Sequence, residues 1–233
     1  MNRYARYLVV IVILAIPVFP ASADQRPNLS EEAIDRRLAF IEKRLNEGQP
    51  SARWWQHGWS GFFATSTVFQ GYKAVESSDG DNEVNYTVGA VKSAAALTLM
   101  LMRPLPAVKG AAPVEAMPTG SPDKKEARLE AAEDLLQTNA RRARERKSWK
   151  RHLTAIAVHL IGSGAIAVFG DGKDAVVSSI TGIAISEAHI WSQPYRVIDD
   201  LTDYQQTFPK TPPGGLSWNL TPIKGGLGVT IRF

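Results

Sequence analysis

One stretch of this chain is written twice, and the duplication limits the folds open to it. Trp54 to Pro104 reads as an apolar helix, a short Asp-Gly turn and a second apolar helix that stops at proline, and Trp149 to Pro194 reads the same way. In the first copy, Trp54 and His57 precede the run from Trp59 to Val75, then Asp79-Gly80-Asp81-Asn82, then Val84 to Met102. In the second, Trp149 and His152 precede Leu153 to Phe169, then Asp171-Gly172-Lys173-Asp174, then Ala175 to Trp191. The Trp-x-x-His pairs stand 95 positions apart and the turns 92 apart, so the copies register within three residues. A lone hairpin of this kind cannot cover its apolar surface. The predicted fold is therefore all-α: duplicated helical hairpins forming a four-helix bundle, with flanking amphipathic helices and a short C-terminal β-hairpin.

The first residues are set apart from that fold. Arg3 and Arg6 form a basic start, Leu8 to Phe19 an apolar core, and Ala21-Ser22-Ala23 a small-residue cleavage site, the pattern of a secretory signal peptide over 1–23. An uncleaved anchor is the alternative. The expected organisation is then helical repeat 1 over 24–104, a linker over 105–121, helical repeat 2 over 122–194, and an amphipathic helix with the terminal β-hairpin over 195–233. Without the leader, 25 basic residues face 23 acidic ones, so the sequence pI near 9.3 carries no argument for a nucleic-acid partner. The absence of cysteine excludes disulfides, thiolate metal sites, cysteine catalysis and a lipidated cysteine.

Ser30 precedes Glu31 and Glu32 as an N-cap, and Leu29 is placed to staple onto Ile34. Ile34, Leu38, Ile41 and Leu45 recur at helical spacing opposite a charged face. Asn46-Glu47-Gly48-Gln49-Pro50 predicts the end of this helix. Four prolines between Arg103 and Pro122, among glycines and alanines, predict a flexible linker. A charged helix follows from Pro122, acidic first and then strongly basic through Arg141, Arg142, Arg144, Arg146, Lys147, Lys150 and Arg151. That basic end suits either a solvated face or anionic lipid headgroups. Leu129, Glu133 and Leu136 overlay Leu38, Glu42 and Leu45 at an offset of 91, which extends the duplicated unit to three helices of about 90 residues.

Trp54, Trp55, Trp59 and Trp191 are placed to form an aromatic belt at a membrane surface, with dense core packing as the other reading for the first three. The apolar runs are slightly short or interrupted for a bilayer, which needs about 20 residues per helix. Insertion is permitted without being required. With the leader cleaved, the basic segments lie outside and the acidic turns inside, against the usual bias. Either the hairpins do not span, or the leader is retained, or another membrane is involved.

Chemistry is sparse. No pair of histidines has metal-ligand spacing, and Asp79, Asp81 and Glu83 lack the rest of a calcium loop, so they read as turn caps. No nucleophile elbow, phosphate loop or dinucleotide fingerprint occurs. No catalytic residue, cofactor or metal is expected. Lys92, His159, Glu187 and His189 form a candidate polar cluster, with Lys92 as the natural partner of Glu187, because ionisable groups in apolar helices are costly unless paired.

Two short resemblances bear on location. The alternating Leu227, Val229, Ile231 and Phe233 resemble the last strand of bacterial outer-membrane barrels, but the helical period elsewhere excludes a barrel. Glu187-Ala188-His189-Ile190-Trp191-Ser192-Gln193-Pro194, with Trp218 and Gly225-Gly226, resembles uncharacterised exported or membrane-associated helical proteins of bacteria. The resemblance implies a location in the cell envelope, periplasmic and membrane-associated, and no activity. The expected function is a non-enzymatic structural or interaction module with membrane lipid as its partner and no nucleic acid. The alternatives are a carrier of an apolar ligand bound between the hairpins, and a transporter or hydrolase using His159, Glu187 and His189.

Overall fold

The computed structural model describes residues 29–209, together with the backbone of two strands, Ser217–Ile223 and Gly226–Arg232. The leader expected over 1–23 lies outside the described residues. Leu29–Lys210 make one unit, and its described part is helical throughout. The two strands, β1 and β2, pair antiparallel from Ser217 opposite Arg232 to Ile223 opposite Gly226.

The first helix, α1, runs without interruption from Glu31 to Glu76, 46 residues, or about 69 Å. Ser30 caps it, its hydroxyl accepting from the Ala33 amide, while Glu31 and Glu32 lie against the positive helix end. The helix does not end at Asn46 to Pro50, as the sequence predicts. Pro50 is accommodated inside it because the surrounding side chains hold the neighbouring chain. Asn46 accepts from the Ala111 amide at 2.9 Å and donates to Glu115 at 2.8 Å, and Glu47 pairs with Arg196. These contacts offset the hydrogen bond that proline removes.

After Ser77, α2 covers Gly80–Met102, capped by Asp79. The predicted flexible linker is instead an ordered connector. It forms a 3-10 turn at Pro106–Lys109 and a short helix, α3, at Ala112–Glu115. Leu105, Ala111 and Val114 are buried, so the connector closes the core rather than spanning open space. Gly110, at φ 57°, makes the reversal between the two turns, and a β-carbon there would stand 2.7 Å from Asn46 Oδ1.

The second half repeats the course with one break. α4 spans Pro122–Arg146, α5 Trp149–Phe169 and α6 Gly172–Trp191. The α4–α5 pair starts 91 positions after α1 and ends 93 positions after it, and α6 starts 92 after α2. A last helix, α7, covers Arg196–Thr207.

The amphipathic helices hold the main buried core. Ile34, Leu38, Ile41 and Leu45 of α1 meet Leu129, Ala132, Leu136 and Ala140 of α4 and Leu201 and Tyr204 of α7, with Ala111 and Val114 beneath. This head is also where the ion pairs gather: Arg37–Glu133, Arg128–Glu42, Arg44–Asp203 and Lys125–Asp35. The remaining length of α1 packs on α2, α5 packs on α6, and α2 touches both α5 and α6.

Candidate functional site

The surface changes character where α1 leaves the head. Every large exposed hydrophobic side chain among the described residues, from Trp54 (81% exposed) and Val75 (90%) in α1 to Ile161 in α5 and Trp191 in α6, belongs to the hairpins. None lies in α4 or α7. Two of the hairpin helices, α2 and α5, are long and apolar enough to cross a membrane, and only 11% of the most apolar window of each is buried. A core helix of a soluble protein passes the same length test but is covered by its neighbours.

Inside each hairpin the same contact recurs. In the first, the Gln70 side chain of α1 lies across Gly89 of α2 and donates to Ser93 Oγ at 3.1 Å. In the second, the His159 ring of α5 lies across Gly182 of α6 and its Nε2 meets Ser186 Oγ at 2.8 Å. Gly89 and Gly182 are 93 positions apart, as are Ser93 and Ser186. A glycine followed four residues later by serine thus admits one polar side chain per hairpin and supplies its partner. The Gly-x-x-x-Ser spacing, readable in both copies, is the sequence signal for these contacts; Gln70 carries no signal of its own.

The four residues proposed as a polar cluster find separate partners. Lys92 passes over Gly162 and donates to Ser178 Oγ at 3.0 Å, joining α2 to α6. Glu187 does not pair with Lys92. Its carboxylate takes His152 Nδ1 at 2.8 Å and Trp191 Nε1 at 3.0 Å, both within the second hairpin, because Lys92 reaches α6 at Ser178, about 13 Å further along the helix axis. His189 stacks among Trp55, Trp59 and Phe63 of α1, with centroids 4.6, 5.0 and 5.7 Å away. Ser192 Oγ accepts from both Trp55 and Trp59. The Glu187 to Pro194 segment therefore docks the second hairpin against the first at the head end. The contacts join the two hairpins and hold no substrate-sized set of converging acid, base and nucleophile. Among the described residues, no group of three or more potential ligands could hold a metal ion.

Beside this contact α1 and α6 leave an apolar groove of about 560 Å³, open to the surface, lined by Trp54, Trp55, Trp59 and Phe62 opposite Ala184 and Ile185. Of the aromatic belt expected from sequence, Trp54 and Trp191 are exposed, while Trp55 and Trp59 are half-buried in the inter-hairpin contact. Trp149, 95 positions after Trp54, is exposed at the start of α5.

At this level the charge is also concentrated. Arg141, Arg142, Arg144, Arg146, Lys147, Lys150 and Arg151 surround the break between α4 and α5, with Glu145 the one acid in that stretch. Arg146 donates to the Arg103 carbonyl at 3.3 Å, and Lys147 stands over the Tyr195 ring at 5.5 Å. Burial, with Arg151 and Arg142 alongside, holds the Arg146 guanidinium below its ordinary pKa. The opposite ends of the hairpins carry Glu76, Asp79, Asp81 and Glu83, and Asp171 and Asp174, against Lys73 and Lys173.

Comparison with protein families, curated proteins and solved structures finds no match to this chain.

Proposed function

We propose that this protein is a non-enzymatic module of the bacterial cell envelope, its two apolar hairpins inserted in a membrane as a duplicated four-helix bundle and its head standing in water. The observation that carries the reading is the segregation of exposed apolar side chains to the hairpins. Transfer of such a surface out of water is favourable by about 25 cal/mol per Å², and nothing in the described residues covers it. The head, by contrast, has a packed core and paired charges.

Several contacts favour the duplication. Arg37 pairs with Glu133 while Arg128 pairs with Glu42, and each residue stands 91 positions from its counterpart. Such an exchange, where i meets j and j meets i, is the mark of a two-fold relation. The glycine–serine contacts inside the hairpins repeat the relation at an offset of 93. The leader pattern and the Glu187 to Pro194 resemblance favour an envelope location. Lys92, Ser178, His159 and Ser186 act as polar fasteners between apolar helices in this reading.

The test is carbonate extraction of membranes from expressing cells, with the mature N-terminus determined on the same sample. Retention in the pellet is expected. Quantitative release would overturn insertion and leave the second reading, a carrier of an apolar ligand, which the α1–α6 groove favours because its volume lies within the range of small-molecule sites. Co-purification of a bound apolar compound with the released protein would establish that alternative.

A further inference from the structure

The cations at the junction are placed differently from those of the head. Arg37, Arg44, Lys125, Arg128 and Arg196 each face a carboxylate within the ion-pairing range. Among the described residues, no ion pair holds Arg142, Arg146, Lys147 or Arg151, although Arg146, Lys147 and Arg151 gather about the Tyr195 ring and Arg142 stands beside Arg146. Lys147 stands over Tyr195, and the Arg146 and Arg151 charges both act on its hydroxyl, which donates to the Ile190 carbonyl at 2.6 Å. Arg146 is in turn flanked by Arg142 and Arg151 and held by the Arg103 carbonyl. Like charges gathered this closely repel one another unless an anion sits among them. The chain supplies one carboxylate nearby, Glu145 beside Arg146, against four cations, and so leaves an excess of positive charge there.

What lies next to the cluster identifies the anion. Exposed Trp149 and Trp191 stand at its edge, and the apolar surface of α5 begins directly below with Leu153. Tryptophan of this kind settles at the headgroup layer of a bilayer. We propose that Arg142, Arg146, Lys147 and Arg151 form a binding site for the phosphate of an anionic phospholipid, in the leaflet that faces the head. The site rests on the membrane reading above and extends it by naming the lipid class and the leaflet. The far end of the hairpins, with six carboxylates against two lysines, repels the same headgroup. The arrangement therefore distinguishes the two leaflets by charge. Guanidinium groups suit this ligand because they meet phosphate oxygens in a bidentate manner.

The experiment uses the full chain, reconstituted in parallel into phosphatidylcholine bilayers and into phosphatidylcholine bilayers containing phosphatidylglycerol, then released into mild detergent for native mass spectrometry of the retained lipid. The parent protein is expected to enter both bilayers and to retain phosphatidylglycerol in excess of its share. The variant R142Q/R146Q/R151Q is expected to enter both and lose that excess, about fivefold for each charge removed. R151Q alone, at an exposed position, gives the partial effect should the triple variant fold poorly, and R36Q/K124Q, which removes two exposed head cations, retains the excess. Equal retention of the two lipids by the parent protein overturns the site while leaving insertion intact, and so does an excess that survives R142Q/R146Q/R151Q. Loss of the excess in millimolar glycerol 3-phosphate assigns the cluster to a soluble phosphate and overturns the lipid. Failure to enter either bilayer removes the membrane reading itself.

Discussion

Single residues in the head carry consequences that follow from their immediate surroundings. Gly110 combines a left-handed backbone with the side chains of Asn46 and Gln49 standing 2.7 and 2.9 Å from where a β-carbon would lie. Gly110→Ala is expected to lower head stability by about 1–3 kcal/mol, read from chemical denaturation followed by circular dichroism. Ile41 is fully buried among α1, α4 and α7, and Ile41→Ala should cost about 2–5 kcal/mol in the same assay. Asp200 gives a pH dependence. Its side chain is 5% exposed, and burial raises its pKa above the ordinary 3.8, although Arg196 at 3.3 Å and Arg44 at 3.6 Å pull it down. Desolvation prevails because both contacts are long. A carboxyl raised on folding detracts from stability once pH exceeds its folded pKa and does not below its unfolded one. Asp200→Asn should therefore gain stability relative to the parent as pH rises through the ordinary carboxylate range and past the raised folded pKa; a change in the parent's favour would show the two arginines to outweigh burial. The hydrophobic partners of these residues were legible in the sequence, since Leu38, Leu45, Leu129 and Leu136 keep helical spacing. The pairing of Arg37 with Glu133 was not, because it depends on how one helix is rotated against another.

The elements show where local signals yield to tertiary contacts. Gly48 and Pro50 are helix-ending residues, yet α1 continues through both. The decisive groups, Ala111, Glu115 and Arg196, come from segments 65 or more residues away, which no local window contains. Pro50→Ala should raise the thermal stability of the protein, by about 1–3 kcal/mol, since it restores the bond to the Asn46 carbonyl. The proline-rich connector misled for the same reason. Leu105 donates its amide to Gln56 Oε1 at 3.1 Å and is buried, so the prolines shape a tight path where composition alone reads as flexibility. The hairpin glycines separate into two kinds. A β-carbon on Gly182 would stand 2.1 Å from His159 Nδ1, whereas one on Gly164 meets nothing within 4 Å. Gly182→Val is expected to break the His159–Ser186 contact and lower thermal stability in detergent, while Gly164→Ala is neutral or raises it by about 0.5–1 kcal/mol.

For the whole unit, the helical periods of the sequence mark most of the helices, while the division into head and hairpins lies in exposure. Sequence hydropathy is similar for a buried core helix and one meant for lipid, and the difference lies in whether neighbours cover it. If the hairpins are inserted, Trp54, Trp149 and Trp191 lie near the headgroups. Lipids brominated high on the acyl chain should then quench the tryptophan emission more than lipids brominated near its end; equal quenching would place the belt elsewhere. The two routes from head to hairpins also differ mechanically. On one side α1 passes through as a continuous rod, and on the other α4 and α5 are separated at Lys147 and Ser148. The part of α1 before Trp54 is about 33 Å long, so a change of about 20° in the tilt of its lower half would sweep the Glu31 end sideways by about 11 Å. The opposite route must bend at its break to follow. If the hairpins are inserted, a thinner or thicker bilayer would thus be converted, through a lever on one side and a joint on the other, into a displacement of the head.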